Sequence, residues 1–323
     1  MNAECRTALA FALAGSLACS RSEPPTARAR AASAKPAGLS TPPPRTAERA
    51  RRPAEEHTWV FEETPVGRMV VVVLIPERSA AERFPVLIPF HGRGEALKGP
   101  DRGARAWVDD YAMSRAIQRL QRPPLTGADF GSFVTASRLS RINAGLVERG
   151  YRGLVIACPY TPDRLAGDAF MEKAAPLARF VVEQLLPRLY RETPALGTAA
   201  STGIDGVSLG GRAAYTVGLT RPEAFGVIAG LQAAFDAKDA PVLLQHARSA
   251  VQKNPRLTYR MLTSEEDYFR DADTMIARAF SGAGLPIRFD VAVGPHDYEF
   301  NRGPGVFEML LFHDRVLRGE EAL

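Results

Sequence analysis

Thr202-Gly203-Ile204-Asp205-Gly206-Val207-Ser208-Leu209-Gly210-Gly211 is the stretch whose reading decides the fold. Residues 202–207 read as a short strand, and residues 209–220 read as a helix. A chain that passes from strand to helix at one residue must turn very sharply. Glycines at 206 and 210 leave no side chain to clash with such a turn. The spacing is G-x-S-x-G, which lifts the Ser208 hydroxyl above the end of a sheet.

Outward from this turn, strands and helices alternate. Residues 58–63 and 68–75 read as two strands around Pro65-Val66-Gly67, an antiparallel pair. Short apolar runs at 84–90 (FPVLIPF) and 153–158 (GLVIAC) have the character of strands buried on both faces. Further strands are expected at 225–229, 257–262 and 287–293. Helices are expected at 104–120, 135–149, 168–190, 242–252, 271–281 and 305–317. Pro176 and Pro187 fall inside the long helical pattern as kink sites. This alternation implies one α/β domain with a mostly parallel central sheet and helices on both faces. Residues 94–135 are long for a connection and are expected to form a cap-like insertion over a site.

The chain has 323 residues, 46% hydrophobic and 24% charged, enough for one large globular domain. The net charge of +5 is unevenly placed: residues 20–56 hold eight Lys/Arg against four Asp/Glu. From His57 onward, 32 basic side chains face 31 acidic ones, which argues against a nucleic-acid partner for the folded part.

Arg6, an apolar run over 8–18 and then Cys19 have the shape of an export signal. The run is far shorter than the roughly 20 residues a membrane-spanning helix needs. Ser16-Leu17-Ala18-Cys19 resembles a bacterial lipobox, although the Leu sits two places before the Cys instead of three. Residues 1–19 are therefore expected to direct export, with Cys19 as a lipid-attachment residue and a cell-envelope lipoprotein as the product. Ordinary secretion to the periplasm or medium is the alternative. Residues 20–56, rich in Pro, Ala and Arg, cannot bury enough apolar surface to offset ordering, and are expected to be a disordered linker. The domain is expected over 57–323. Cys158 is the one cysteine inside it, so no internal disulfide is expected.

A serine hydroxyl attacks only when a base removes its proton. His246 and His313 fall inside expected helices, where a histidine is more often packing than chemistry. His296, in Gly294-Pro295-His296-Asp297, follows the last strand, where ligand sites of parallel sheets lie. It is the expected general base. An acid should orient the imidazole, and Asp267 in Ser264-Glu265-Glu266-Asp267 has the room to bend back toward it. Glu266, Glu265 and Asp271 are alternates. His91-Gly92-Arg93-Gly94 after the strand 84–90 suits an oxyanion loop, with backbone donors expected from Gly92, Arg93 and Leu209. His91 is expected to be structural. Trp107, Tyr111 and Tyr160 would either shape a pocket or pack in the core.

In this order the pieces resemble the α/β-hydrolase superfamily, in particular its esterase branch with esterase D-like, feruloyl-esterase-like and enterochelin-esterase-like proteins. The likeness runs from about His57 to the C-terminus. It rests on the glycine-paired elbow, on Ser264-Glu265-Glu266-Asp267 and on Gly294-Pro295-His296-Asp297, where the branch has Gly-Gly-His-Asp. The resemblance implies an α/β-hydrolase fold and a serine hydrolase that cleaves a carboxylic ester through an acyl-enzyme. The substrate would be small or polymer-linked, and neither cofactor nor metal is implied. Peptidase, thioesterase or lipase action with the same three residues is one alternative. A non-catalytic, envelope-anchored binding protein on the same scaffold is another. Residues 94–135 match no subfamily, so the substrate does not transfer.

Overall fold

The computed structural model describes residues 55–163 and 169–323. Cys19, the apolar run before it and nearly all of the expected linker lie outside the described residues. Eight strands form one sheet: β1 (Glu55–Phe61), β2 (Met69–Ile75), β3 (Val86–Phe90), β4 (Val155–Pro159), β5 (Thr202–Gly206), β6 (Val227–Leu231), β7 (Thr258–Glu266) and β8 (Ile287–Pro295). Their spatial order is β1-β2-β4-β3-β5-β6-β7-β8. β2 pairs antiparallel with β1 and with β4, and every pairing from β4 to β8 is parallel.

The apolar strands divide their side chains between two layers. Val71, Val73, Ile88, Ile204, Ile228 and Met261 face helices Phe170–Arg179, Leu209–Thr220, Ala240–Lys253 and Arg270–Gly282. Val70, Val72, Leu87, Ile156, Ala229 and Leu262 face the other layer. There, short helices between residues 93 and 120 join Ala136–Glu148 and Val306–Val316. The period of two in a strand produces this split. Each fully buried Val or Ile contributes roughly 1.5–3 kcal/mol. A charge at Val72, fully buried in β2, would have no partner and would break the layer.

Several elements differ from the sequence expectation. Residues 104–120 form two helices, Ala106–Asp109 and Met113–Leu120, separated by Ala112 at φ 56°. The long pattern over 168–190 is helical from Phe170 to Glu192, but widens to π spacing over Phe180–Leu185. Pro187 follows at once, and its missing N–H cannot close a regular i→i−4 bond. β7 runs on to Glu266, four residues beyond its expected end.

The order of strands locates a site. From β3 the chain moves to β4 on one side, and then crosses to β5 on the other. Parallel sheets bind ligands outside the carboxyl ends of strands at such a reversal. Here those ends are Phe90 and Gly206, directly paired. The loops they feed carry His91-Gly92-Arg93-Gly94 and Ser208.

Candidate active site

Ser208 occupies the turn from β5 into the helix Leu209–Thr220, with φ 56° and ψ −118°. That backbone is strained for a residue with a side chain, and such strain clusters at functional turns. It is held by a hydrogen bond from the Ser208 N–H to Leu231 O at 2.9 Å, and by one from the Ala234 N–H to Ser208 O at 3.0 Å. The glycines are steric requirements. A Cβ on Gly206 would lie 2.3 Å from Gly210 O, and one on Gly210 would lie 2.2 Å from Phe90 O. The helix after the serine therefore presses directly against the end of β3.

Beneath the elbow lies a second, fully buried His–Asp pair. His313 Nε2 is 2.9 Å from Asp205 Oδ2, and Asp205 Oδ1 accepts the Gly206 N–H at 2.7 Å. His313 is thus a core group that braces the turn from below. His246 lies half-buried in the helix Ala240–Lys253.

β7 and β8 deliver the other two expected residues to the same end of the sheet. Asp267 is the first residue past β7, after a register shift between Ser264 and Glu266. Glu265 and Glu266 are still strand residues and point into solvent. Asp267 is buried, and both of its carboxylate oxygens are hydrogen-bonded. Oδ2 accepts from Thr263 Oγ1 at 2.6 Å, and Oδ1 accepts from the Phe269 N–H at 3.0 Å. Oδ1 also takes His296 Nδ1 at 2.7 Å. A carboxylate accepts only, so Nδ1 carries the proton and Nε2 of neutral His296 is the acceptor. The imidazole is stacked beneath Tyr268, with centroids 4.2 Å apart, and meets the edge of Phe269 at 5.6 Å.

Gln232 ties the two halves together. It follows β6 at φ 45°. Its Nε2 donates to Ser264 Oγ at 2.7 Å and to Pro295 O at 2.9 Å. Ser208 is bonded to Leu231, one residue before Gln232, and His296 is one residue after Pro295. Among the described residues Ser208 Oγ has no hydrogen bond, to His296 or to any other group. Such bonds are often long without substrate and tighten as it binds.

The loop after β3 opens into the helix Arg93–Ala96. The Arg93 and Leu209 N–H groups each begin a helix and have no intrahelical acceptor. The Gly92 N–H, expected as another donor, is committed to Tyr111 Oη at 3.2 Å. His91 is buried and bridges two strand ends. Its Nδ1–H meets Gly92 O at 2.9 Å, and its Nε2 accepts the Thr161 N–H at 2.8 Å. Burial pushes its pKa down to about 4, so it is neutral at pH 7. Trp107 and Tyr111 are core residues behind this loop, with rings 4.9 Å apart. Tyr160 Oη donates to Ala96 O at 2.9 Å. All three therefore support the loop. No cluster of His, Cys, Asp or Glu suited to a metal ion occurs among the described residues.

The sequence by itself does not mark Glu95, Gln232, Tyr268 or Tyr298 as site residues. Glu95 and Tyr298 stand one and two places beyond the motifs His91-Gly92-Arg93-Gly94 and His296, the only local signal for them. Gln232 carries none.

No protein-family model and no curated protein matches the chain. Solved structures do resemble it. A ferulic acid esterase superposes with a TM-score of 0.59 at 15% identity, covering 82% of this chain and 98% of that one. FphF, a fluorophosphonate-binding serine hydrolase of Staphylococcus aureus, gives 0.58 at 12%, covering 82% and 100%. The feruloyl esterase module of Clostridium thermocellum, complexed with sinapinate, gives 0.56 at 12%, covering 80% and 87%. The fold is the α/β-hydrolase fold; two of these neighbours are esterases and one is a serine hydrolase.

Proposed function

We propose that this protein is a serine hydrolase that cleaves a carboxylic ester, with Ser208 as nucleophile, His296 as general base and Asp267 as the orienting acid. The observation that carries the reading is the buried, hydrogen-bonded Asp267 carboxylate on His296 Nδ1, at the same end of the sheet as the strained Ser208. That bond fixes the tautomer in which Nε2 can accept a proton.

In the first step Ser208 Oγ attacks the ester carbonyl carbon while Nε2 takes the hydroxyl proton. The Arg93 and Leu209 N–H groups hold the oxyanion that forms. The C–O bond to the alcohol then breaks, and His296 returns the proton to the leaving oxygen. Water, deprotonated by the same nitrogen, attacks the acyl-serine and releases the acid and Ser208. Each proton that leaves Ser208 or water is handed back, so no cofactor takes part in this scheme. Sinapinate, the carboxylate of a small aromatic acid, in the clostridial neighbour supports a small molecule as the substrate class.

Independently of the active site, we propose that the enzyme is exported from a bacterial cytoplasm and held by lipid on Cys19. Its support is the lipobox-like Ser16-Leu17-Ala18-Cys19. Retention of membrane association by Cys19→Ala would count against that anchor.

A panel of nitrophenyl esters of increasing acyl length tests the activity. Ser208→Ala should lower kcat by about 10⁴–10⁶ on every active ester, as in other serine enzymes. Hydrolysis that survives this change would contradict the assignment.

A further inference from the structure

Glu95 is an acid with only 1% of its surface exposed, beside the candidate oxyanion loop. A buried carboxylate needs partners. It takes hydrogen bonds from two tyrosines, Tyr111 Oη on one oxygen and Tyr298 Oη on the other. Lys98 Nζ stands 3.6 Å away, itself 2.8 Å from Asp110. The two tyrosines reach different parts of the site. Tyr111 Oη accepts the Gly92 N–H at 3.2 Å, within the loop after β3. Tyr298 lies two residues beyond His296, at the start of the short helix Tyr298–Phe300 that follows β8. One carboxylate therefore joins the loop that offers the Arg93 N–H to the loop that carries the base.

The glycines of His91-Gly92-Arg93-Gly94 fit this arrangement. A Cβ on Gly92 would sit 3.1 Å from Tyr111 Oη, and one on Gly94 would sit 3.2 Å from Tyr298 Oη. Both hydroxyls come close because neither glycine has a side chain. The tyrosine rings lie 5.9 Å apart, so they flank Glu95 together. Hydrogen bonding to Glu95, helped by burial, pushes Tyr298 up to about 12, and burial with Glu95 pushes Tyr111 up as well. Both remain proton donors throughout the physiological range.

We propose that Glu95, gripped by Tyr111 and Tyr298, is a positioning residue that locks the oxyanion loop to the histidine loop, so that the Arg93 N–H and His296 hold one geometry as charge develops on the substrate. The proposal rests on the serine-hydrolase reading. The cluster does not touch the reacting atoms. It acts by keeping the Arg93 donor where the oxyanion will be, and misplacement by about 1 Å can cost about 10²-fold in rate.

The test uses the full chain with Tyr298→Phe and Glu95→Gln. Tyr298→Phe removes one hydroxyl from a part-exposed ring, so folding should survive even if Glu95→Gln destabilises the buried site. The readouts are kcat, KM, melting temperature, the rate of fluorophosphonate labelling and affinity for a boronic acid that mimics the tetrahedral state. We expect kcat and labelling rate to fall about 10–100-fold in Tyr298→Phe, with KM changed less than threefold. Boronate affinity should fall by the same factor as kcat/KM, and Glu95→Gln should show the same pattern wherever it folds. A merely structural role would lower the melting temperature and leave boronate affinity alone. Labelling and kcat of Tyr298→Phe within twofold of wild type would overturn the cluster proposal while leaving Ser208 in place. Wild-type protein that is folded but never labelled would instead overturn the reading on which it rests.

Discussion

The Nδ1 proton of His296 is donated to Asp267 Oδ1 across 2.7 Å, with the carboxylate shielded from water. In Asp267→Asn the amide would favour the wrong tautomer of the imidazole. We expect kcat to fall about 10³–10⁴-fold with a folded protein, checked by steady-state kinetics on a nitrophenyl ester. Glu265→Gln and Glu266→Gln, on solvent-facing strand residues, should leave kcat within about twofold. A large loss in either would move the acid to that position.

Gly210 and Phe90 touch backbone to backbone, and Gly210→Ala forces a methyl into that contact. Overpacking of this kind costs about 1–3 kcal/mol, and here no flexible side chain can yield. The melting temperature should fall by roughly 2–4 °C for each kcal/mol lost. Activity should fall as well, because the displaced element carries Ser208 and the Leu209 N–H. An unchanged melting temperature would show that the elbow has slack.

Tyr268 is 70% exposed yet stacked on the imidazole of His296. Its ring forms a wall beside the proposed base. Tyr268→Ala should leave stability nearly unchanged and raise KM several-fold, with kcat less affected. Parallel kinetics and thermal melts on the variant measure both. Equal KM values would mean that the substrate never reaches this ring.

Two buried groups set opposite pH dependences of stability. His91 has a native pKa of about 4, below its ordinary value of about 6.5. Its contribution is therefore present above pH 6.5 and is lost as pH falls toward 4, a loss of about 3 kcal/mol. Asp273 is pushed upward, by burial and then by the charge of Asp267. Its neutral form stabilises below the ordinary carboxylate value near 3.9, and that contribution is lost as pH rises toward the raised native value. Asp273→Asn keeps an oxygen for the Ala233 N–H, which now donates to Asp273 Oδ2 at 3.1 Å. Urea unfolding should find Asp273→Asn more stable than wild type at pH 8, with the advantage shrinking at pH 4. An advantage independent of pH would contradict a neutral Asp273.

The elbow was legible because its signal is local. A Cβ on Gly206 would meet Gly210 O four positions on, and the strand and helix around Ser208 each have their own periodicity. Asp267 and His296 are marked in the sequence by their place after strands, and the structure brings them within 2.7 Å of each other. The preference for Asp267 over Glu266 rests in the sequence on a loop expected after Leu262, but β7 pairs with β8 as far as Glu266 and leaves Asp267 as the first residue beyond it. Gly92 is not the free donor its glycine loop leads one to expect, because the Tyr111 hydroxyl returns from 19 positions away to take its N–H. Glu95 and Tyr298 meet across 203 positions, a contact that no spacing rule encodes. The split of residues 104–120 into two helices depends on Ala112 adopting positive φ, which nothing about alanine announces.

Mass mapping of the fluorophosphonate adduct on the folded full-length chain tests the central claim most directly. Covalent modification of the peptide that carries Ser208, absent in Ser208→Ala and strongly slowed in His296→Ala, is the predicted result. Folded wild-type protein that stays unmodified, or an adduct that persists in Ser208→Ala, would contradict it.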